Sequence, residues 1–237
     1  MTRRRWIADE VSGNRAVLSG AHADHLANVL RARVGQEFDI VAGEHVRLGR
    51  ITNIRRGRVE FELGAEIPAT VTANVIVLLS IFKFERMEWA IEKCTELGVT
   101  RIVPVISQRT ESHLANAAAK RVERWRRIVR QAAEQSRRDS VPSISLPVKL
   151  KEALMVEAET RTVLAETEYG MLLKDALSNI NGREVALALG PEGGWTEEEL
   201  EAFRAVGWIS ASLGNTILRA ETAAIAAVAV VMSELQQ

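Results

Sequence analysis

One cysteine, Cys94, stands among 237 residues, so the chain cannot close an internal disulfide. A chain without disulfides suits a reducing compartment. The opening Met1-Thr2-Arg3-Arg4-Arg5-Trp6 is basic and lacks the apolar stretch of a secretory signal. No apolar run reaches the roughly 20 residues that span a bilayer. The expectation is a cytoplasmic protein with no membrane partner. Histidine is scarce too: His22, His25, His45 and His113 lie scattered, and the first two miss the i, i+4 spacing of a helical zinc pair. No metal site is expected. Also missing are G-x-G-x-x-G, G-x-x-x-x-G-K-[ST] and G-x-S-x-G, which removes the dinucleotide fingerprint, the P-loop and the nucleophile elbow.

Lysine is the last shortage, with 6 Lys against 25 Arg. Arginine favours bidentate phosphate contacts and stacking, although a compositional bias that enriches Arg and Ala together gives the same ratio. The formal net charge of zero hides uneven parts. Eight basic residues against Glu123 and Glu134 occupy Lys120 to Arg138, whereas acidic residues outnumber basic ones from Lys151 to Arg204.

What the chain does have is a pair of glycine-bearing loops. Leu189-Gly190-Pro191-Glu192-Gly193-Gly194-Trp195 comes after the apolar run Val185 to Leu189. Leu213-Gly214-Asn215-Thr216-Ile217-Leu218-Arg219-Ala220-Glu221-Thr222-Ala223 comes after Ile209 to Leu213. Each run reads as a buried strand, and each loop leads into a helical pattern. Two such loops belong side by side at the carboxyl edge of one parallel sheet, where open α/β sheets bind ligands. Glycine lets a backbone approach a ligand closely. Gly-Pro and Gly-Gly are also ordinary turn punctuation.

Residues 1 to about 68 differ from the rest. They read as short strands, Arg15 to Leu18, Glu37 to Val41, His45 to Ile51 and Arg58 to Leu63, interrupted by one helix over Ala21 to Leu30. Val59, Phe61 and Leu63 alternate with Arg58, Glu60 and Glu62, the pattern of a half-buried strand. A small β-barrel fits, with Glu66 to Thr70 as linker. From about Ala73 strands and helices alternate. Strands are expected at Val75 to Ile81, Arg101 to Ser107, Thr162 to Ala165 and the two runs before the loops. Phe84, Met87, Ile91 and Cys94 mark one helical face, which Gly98 ends. A second helix runs from Lys120 to about Ser136 with Val122, Trp125, Val129 and Ala132 inward. Thr196 and Glu199 form a capping box. This order implies an α/β fold with a parallel sheet covered on both faces. The last helix, Arg219 to Leu235, is apolar around nearly its whole circumference. It suits a subunit interface or a central core position.

Two groups of residues suggest chemistry. Arg219 and Glu221 flank Ala220 at the entrance to that apolar helix, where ionised groups are costly without partners or a ligand. A structural Arg-Glu pair explains them equally well. Arg121, Arg124, Arg127 and Arg130, with Arg137 and Arg138 just beyond, form a basic stripe. With Arg3 to Arg5, Arg31, Arg33, Arg55 and Arg56, it fits contacts to nucleic-acid phosphates. A solvated helix face is the plainer reading.

These motifs, taken in order, resemble the bacterial 16S ribosomal RNA uridine-N3 methyltransferases of the SPOUT class. The resemblance spans nearly the whole chain. It includes His25 to Arg31, Gly35, Lys83, Glu96 to Val99, Pro104, Arg109 to Ser112, Ala132 to Arg138 and Pro142. Its strongest parts are Gly190 to Gly194, Leu213-Gly214 and Ile217 to Ala223. Asn215-Thr216 departs from the basic residue common in relatives. The resemblance implies a PUA-like RNA-binding β-barrel over residues 1–69 and a SPOUT methyltransferase domain with a C-terminal trefoil knot over 70–237. It implies a homodimer through the knot and last helix, and the small ribosomal subunit with its 16S RNA as partner.

S-adenosylmethionine is the implied cofactor, held by Thr167, Leu189, Gly190, Pro191, Glu192, Gly194, Leu213, Gly214, Ile217 and Leu218. Arg219 is expected to stabilise the uracil oxyanion. Glu192 or Glu221 is the candidate acceptor of the N3 proton; either could instead bind cofactor or brace Arg219. Arg4, Arg5, Arg31, Arg86, Arg109, Arg137 and Arg138 are the expected RNA contacts. Methylation of another RNA base, a non-catalytic ribosome-assembly role and a degenerate nucleotide-binding enzyme are the alternatives.

Overall fold

The computed structural model describes residues 5–43, 45–68, 73–178 and 183–235. The chain folds as two compact units, Met1–Val71 with Ala133–Ser140, and Thr72–Ala132 with Val141–Gln237.

The first unit contains strands β1 (Arg5–Ile7), β2 (Glu10–Ser12) and β3 (Arg15–Ser19), helix α1 (Gly20–Asp24), then β4 (Glu37–Ala42), β5 (His45–Arg55) and β6 (Arg58–Ile67). They form one six-stranded sheet in the order β1-β4-β5-β6-β3-β2. β1 runs parallel to β4, and the other pairs are antiparallel. Register shifts between Arg47 and Gly49 and between Ile51 and Asn53 bend the long β5–β6 ribbon, as bulges do. The curled sheet wraps a core that includes Leu18, Leu26, Phe38, Ile40, Ile51 and Phe61. Phe38 and Phe61 meet edge to face.

The expected helix over Ala21 to Leu30 is two pieces. α1 ends at Asp24, and His25–Val29 is a π-helical turn in which the Leu30 N–H reaches the His25 carbonyl at 3.0 Å. The widened turn ends at Arg31, whose φ of 52° is left-handed. Glu66 and Ile67 belong to β6, opposite Arg47 and Val46, rather than to a linker. Of that expected linker, Ala69 and Thr70 lie outside the described residues.

The second unit contains β7 (Asn74–Ser80), α2 (Phe84–Leu97), β8 (Arg101–Ile106), α3 (Ser112–Gln135), β9 (Ser143–Ile144), β10 (Val148–Lys149), α4 (Leu150–Ala153), β11 (Thr160–Leu164), α5 (Leu173–Leu177), β12 (Glu184–Leu189), α6 (Glu197–Ala205), β13 (Ile209–Ala211) and α7 (Ala220–Glu234). The last residues of α3, from Ala133, count with the first unit. The sheet is parallel, in the order β10-β8-β7-β12-β11-β13, with β9 beside β8. Both faces are covered, so β7 and β12 are continuous apolar runs. Val75, Val77 and Leu79 of β7, with Val185, Leu187 and Leu189 of β12, face the core shared with α2, α3, α5 and α7. Ile76, Leu78, Ala186 and Ala188 face the opposite core, with α4 and α6. There the small alanines leave room for Trp195, Phe203 and Trp208, which stack edge to face at 5.0 and 5.1 Å.

α3 begins eight residues before the expected Lys120. Its first turns, Ser112 to Ala119, are alanine-rich and helix-favouring, and Leu114 and Ala118 extend the buried face of Val122, Trp125 and Val129. β13 ends at Ala211 rather than Leu213. Ser212 instead bonds the segment before α5, donating to the Met171 carbonyl and accepting from the Leu173 N–H. α7 buries Ala220, Glu221, Ala224, Ala227, Val228 and Val231, while Ile225 and Ala226 are half-buried and Ala229 is exposed.

Two measurements check these packings. A Cβ at Gly49 would overlap the Ile40 side chain inside the core. Gly49→Ala is therefore expected to destabilise the protein by about 1–3 kcal/mol in urea denaturation. Burial pushes the Cys94 thiol up to about 12 from 9.0. The unfolded chain loses this proton first as pH rises. The stability that the neutral thiol contributes is thus complete below about 9 and is lost toward 12. Denaturation curves at about pH 8 and about pH 10.5 should show a smaller loss in Cys94→Ala than in the parent.

Candidate active site

The carboxyl ends of β11, β12 and β13 open into a pocket of about 670 Å³, a size typical of small-molecule sites. Every expected cofactor contact lines it: Thr167 after β11, Leu189 at the end of β12 with Gly190 to Glu192 and Gly194 after it, and Leu213, Gly214, Ile217 and Leu218 after β13. The first loop is tight. Gly194 donates its N–H to the Pro191 carbonyl at 2.9 Å and takes a left-handed φ of 68°. A Cβ at Gly190 would press on the backbone of Gly194 and Trp195 at 3.3 Å. Gly214 differs. Its φ is 119°, and a Cβ there would meet no atom within 4 Å, so the loop leaves open space beside its backbone. Ile217 is 78% exposed and Tyr169 86% exposed, both on the pocket lining.

Three arginines line the pocket with different partners. Arg109 donates to the carbonyls of Gly193 (2.5 Å) and Trp195 (3.2 Å), which fastens the first loop. Arg86, in the first turn of α2, donates from Nη1 to Glu192 Oε1 at 3.0 Å, and its Nε lies 3.7 Å from Glu221 Oε1. Arg219 caps α7 and forms no ion pair among the described residues. Of the two carboxylates weighed as proton acceptor, Glu192 lines the pocket. Glu221 is 5% exposed and stands behind the lining, and its Oε2 has no hydrogen-bond partner among the described residues.

Comparison with known proteins decides between the readings of such a pocket. Residues 70–232 match the family model described as RNA methyltransferase domain. The "Ribosomal RNA small subunit methyltransferase E" of Synechocystis sp. is 32% identical over 92% of this chain and 73% of its own. That of Mycobacterium tuberculosis is 32% identical over 93% of this chain and 87% of its own. The chain belongs to the ribosomal RNA small subunit methyltransferase E family. A member from Neisseria gonorrhoeae, solved bound to S-adenosyl methionine, superposes with a TM-score of 0.82 at 31% identity, covering 98% of this chain and 97% of the other. A Legionella pneumophila methyltransferase in complex with the same cofactor also gives 0.82, at 26% identity and 98% of both chains.

Within this methyltransferase family member, the expected RNA contacts divide into two groups. Arg86 and Arg109 line the pocket and are bonded within it. The others lie in the first unit, where Arg4 is outside the described residues. Arg5 pairs with Asp139 and Asp39 and donates to the Arg137 carbonyl. Arg31 and Arg137 are exposed and hold left-handed φ angles of 52° and 58°. Burial lowers Arg138 to about 10. Part of the basic stripe is likewise paired. Arg121 and Arg124 turn toward Glu88 of α2 at 3.8 and 2.8 Å, and Arg121 lies over the Phe84 ring. Among the described residues no group of three or more His, Cys, Asp and Glu is placed to hold a metal, and no helix is long and apolar enough to cross a membrane.

The local sequence pattern marks Glu199 only as half of a capping box. The box is present, with the Thr196 hydroxyl and Glu199 carboxylate bonding each other's N–H groups. The second Glu199 oxygen accepts the Gln108 N–H at 2.8 Å, so one buried side chain joins α6 to the segment carrying Arg109. Nothing in the spacing of neighbouring residues signals this reach across 91 positions. Glu199→Ala strands two N–H groups and should cost about 1–3 kcal/mol in denaturant titrations. Thr196→Ala should cost about 1 kcal/mol.

Proposed function

We propose that the protein transfers a methyl group from S-adenosylmethionine to N3 of a uridine in the 16S RNA of the small ribosomal subunit. The observation that carries this reading is the pocket itself. Two glycine-bearing loops meet at the strand ends, one clamped by Arg109 and the other open at Gly214, with Arg219 in the lining and in no ion pair among the described residues. The residues fit the cofactor. The open space beside Gly214 admits a flat ring close to backbone, and Leu189, Leu213 and Leu218 supply apolar contact. When bound, S-adenosylmethionine supplies a methyl already activated as a sulfonium.

The chain's own residues must handle a uracil N3 that carries a proton and attacks poorly while it does. Arg219 meets the negative charge that spreads to the uracil oxygens as that proton leaves. Glu192 accepts the proton, since its carboxylate lines the pocket. Glu221, buried behind the lining, braces the site. The cofactor would supply the methyl carbon for the N3–C bond and would take the S–C electron pair onto its own sulfur.

The reading extends to the whole chain. Residues 1–69 serve as a PUA-like β-barrel for RNA, with Arg4, Arg5, Arg31, Arg137 and Arg138 as contacts, and 70–237 as a SPOUT domain. The sheet order supports a trefoil knot. β13 lies outside β11, so the chain leaving β12 crosses β11 by way of α6 and returns on the opposite face as α7, beside α5. The face of α7 bearing Ile225, Ala226 and Ala229 supports homodimerisation through the knot and this helix. Such an enzyme works in the cytoplasm.

Labelled methyl transfer to small subunits from a strain lacking the modification tests the proposal. N3-methyluridine is the expected product. Cofactor binding without transfer to any ribosomal RNA would favour the assembly-factor reading. Arg219→Ala should lower kcat by well over tenfold, an oxyanion-type loss of about 2–4 kcal/mol, while cofactor affinity by calorimetry holds.

A further inference from the structure

Arg86 stands at the wrong end of a helix for a cation. It lies in the first turn of α2, where the helix dipole is positive, and its backbone N–H bonds the Lys83 carbonyl. Such a placement needs anionic partners, and two are present. Glu192 comes from the loop after β12, and Glu221 comes from the first turn of α7. One guanidinium thus joins three elements at the pocket.

Glu221 is the informative partner. A buried carboxylate with one oxygen unbonded costs stability, and a neutral side chain of the same shape would cost less. It lies 3.7 Å from Arg86 Nε and lines no part of the pocket. Its effect on the reaction therefore runs through Arg86. Arg86 in turn bonds one oxygen of Glu192, and among the described residues no other group bonds that carboxylate. The charged groups around Glu192 are Arg86 from α2, Arg109 from the segment before α3, Arg219 and Glu221 from α7, and Glu166 after β11.

We propose that Arg86 is a positioning residue, rather than an RNA contact. It aims the Glu192 carboxylate into the pocket, and Glu221 is its buried brace. This rests on the reading of Glu192 as proton acceptor. A planar guanidinium that bonds one carboxylate through Nη1 and pairs with another beside Nε fixes direction, which an ammonium does not. Misplacement of a reacting group by about 1 Å can cost about a hundredfold.

The test is a double-mutant cycle in the methyl-transfer assay with small subunits. Arg86→Met is expected to lower kcat by about 10- to 100-fold, with KM for subunits and the calorimetric affinity for S-adenosylmethionine changing less than about threefold. Arg86→Lys should recover part of that loss. In a Glu192→Gln background, Arg86→Met should cost less than about twofold, because the group it aims is gone. Glu221→Gln should lower kcat in the same sense while thermal stability is kept or raised; it and Arg86→Lys report on the coupling even where Arg86→Met does not fold. Equal losses in both backgrounds would overturn the proposal. A loss confined to KM for subunits would also overturn it and return Arg86 to RNA. Wild-type kcat in Glu192→Gln alone would instead sink the proton-acceptor reading on which the proposal rests.

Discussion

The parallel pairing of β7 with β12 is the constraint on which the site depends. Six consecutive partners, Asn74 with Glu184 through Leu79 with Leu189, join segments 110 residues apart. Such long-range pairing must repay a large loop-closure entropy, and here burial on both faces supplies the return. Val77, Leu78, Leu187 and Ala188 are fully buried. The register of the pair also places the two segments that emerge from its carboxyl end. Ser80 to Lys83 leads into α2 and Arg86, while Gly190 to Trp195 carries Glu192. A shift of one residue would exchange the faces of one strand relative to the other and separate Arg86 from its carboxylate.

The elements that were legible in the sequence share one property: their signal is local and periodic. The strand runs before the two glycine loops, the face Met87-Ile91-Cys94, and the Thr196–Glu199 box each occupy a few neighbouring residues. β1 and β2 escaped because three residues carry no period, and β1 is defined by its partner β4. The π-turn at His25–Val29 escaped for another reason. Its sequence suits an α-helix, and only the bond from Leu30 to His25 widens it. For the site, glycine marked the loops, but the partners of Arg86, Arg109 and Glu199 are set by tertiary contact. An arginine's charge is visible in a sequence; whether it is already spent on a carbonyl or a carboxylate is not. The uridine target and cofactor came from resemblance, since no spacing rule alone distinguishes this pocket from other sheet-edge sites.

Several features of the site run against stability. Glu221 is buried with an unbonded oxygen, Gly214 gives up side-chain packing, and Ile217 and Tyr169 expose apolar surface. Each lies at the pocket or directly behind it. Aromatic edges elsewhere in this unit pack on alanines, and helix faces match their strands. Unbonded buried polar atoms do occur away from the pocket, at Trp125, Thr162 and Trp208, but among the described residues Glu221 is the carboxylate in that group, and a carboxylate without a hydrogen-bond partner is the costliest of them.

Backbone strain makes a parallel argument for the first unit. Among the described residues, Arg31 and Arg137 are the non-glycine positions with positive φ. A left-handed backbone costs an ordinary residue roughly 1–2 kcal/mol, and glycine at either position would avoid most of it. Neither arginine recovers the cost by burial, since both side chains are exposed. Arg31 comes directly after the widened turn, and Arg137 offers its carbonyl to Arg5, whose own charge is balanced by Asp39 and Asp139. The paired arginine thus shapes the backbone, while the strained ones keep exposed cationic side chains at fixed points. Of the proposed RNA contacts in this unit, Arg31 and Arg137 therefore carry the strongest physical case, and Arg5 the weakest.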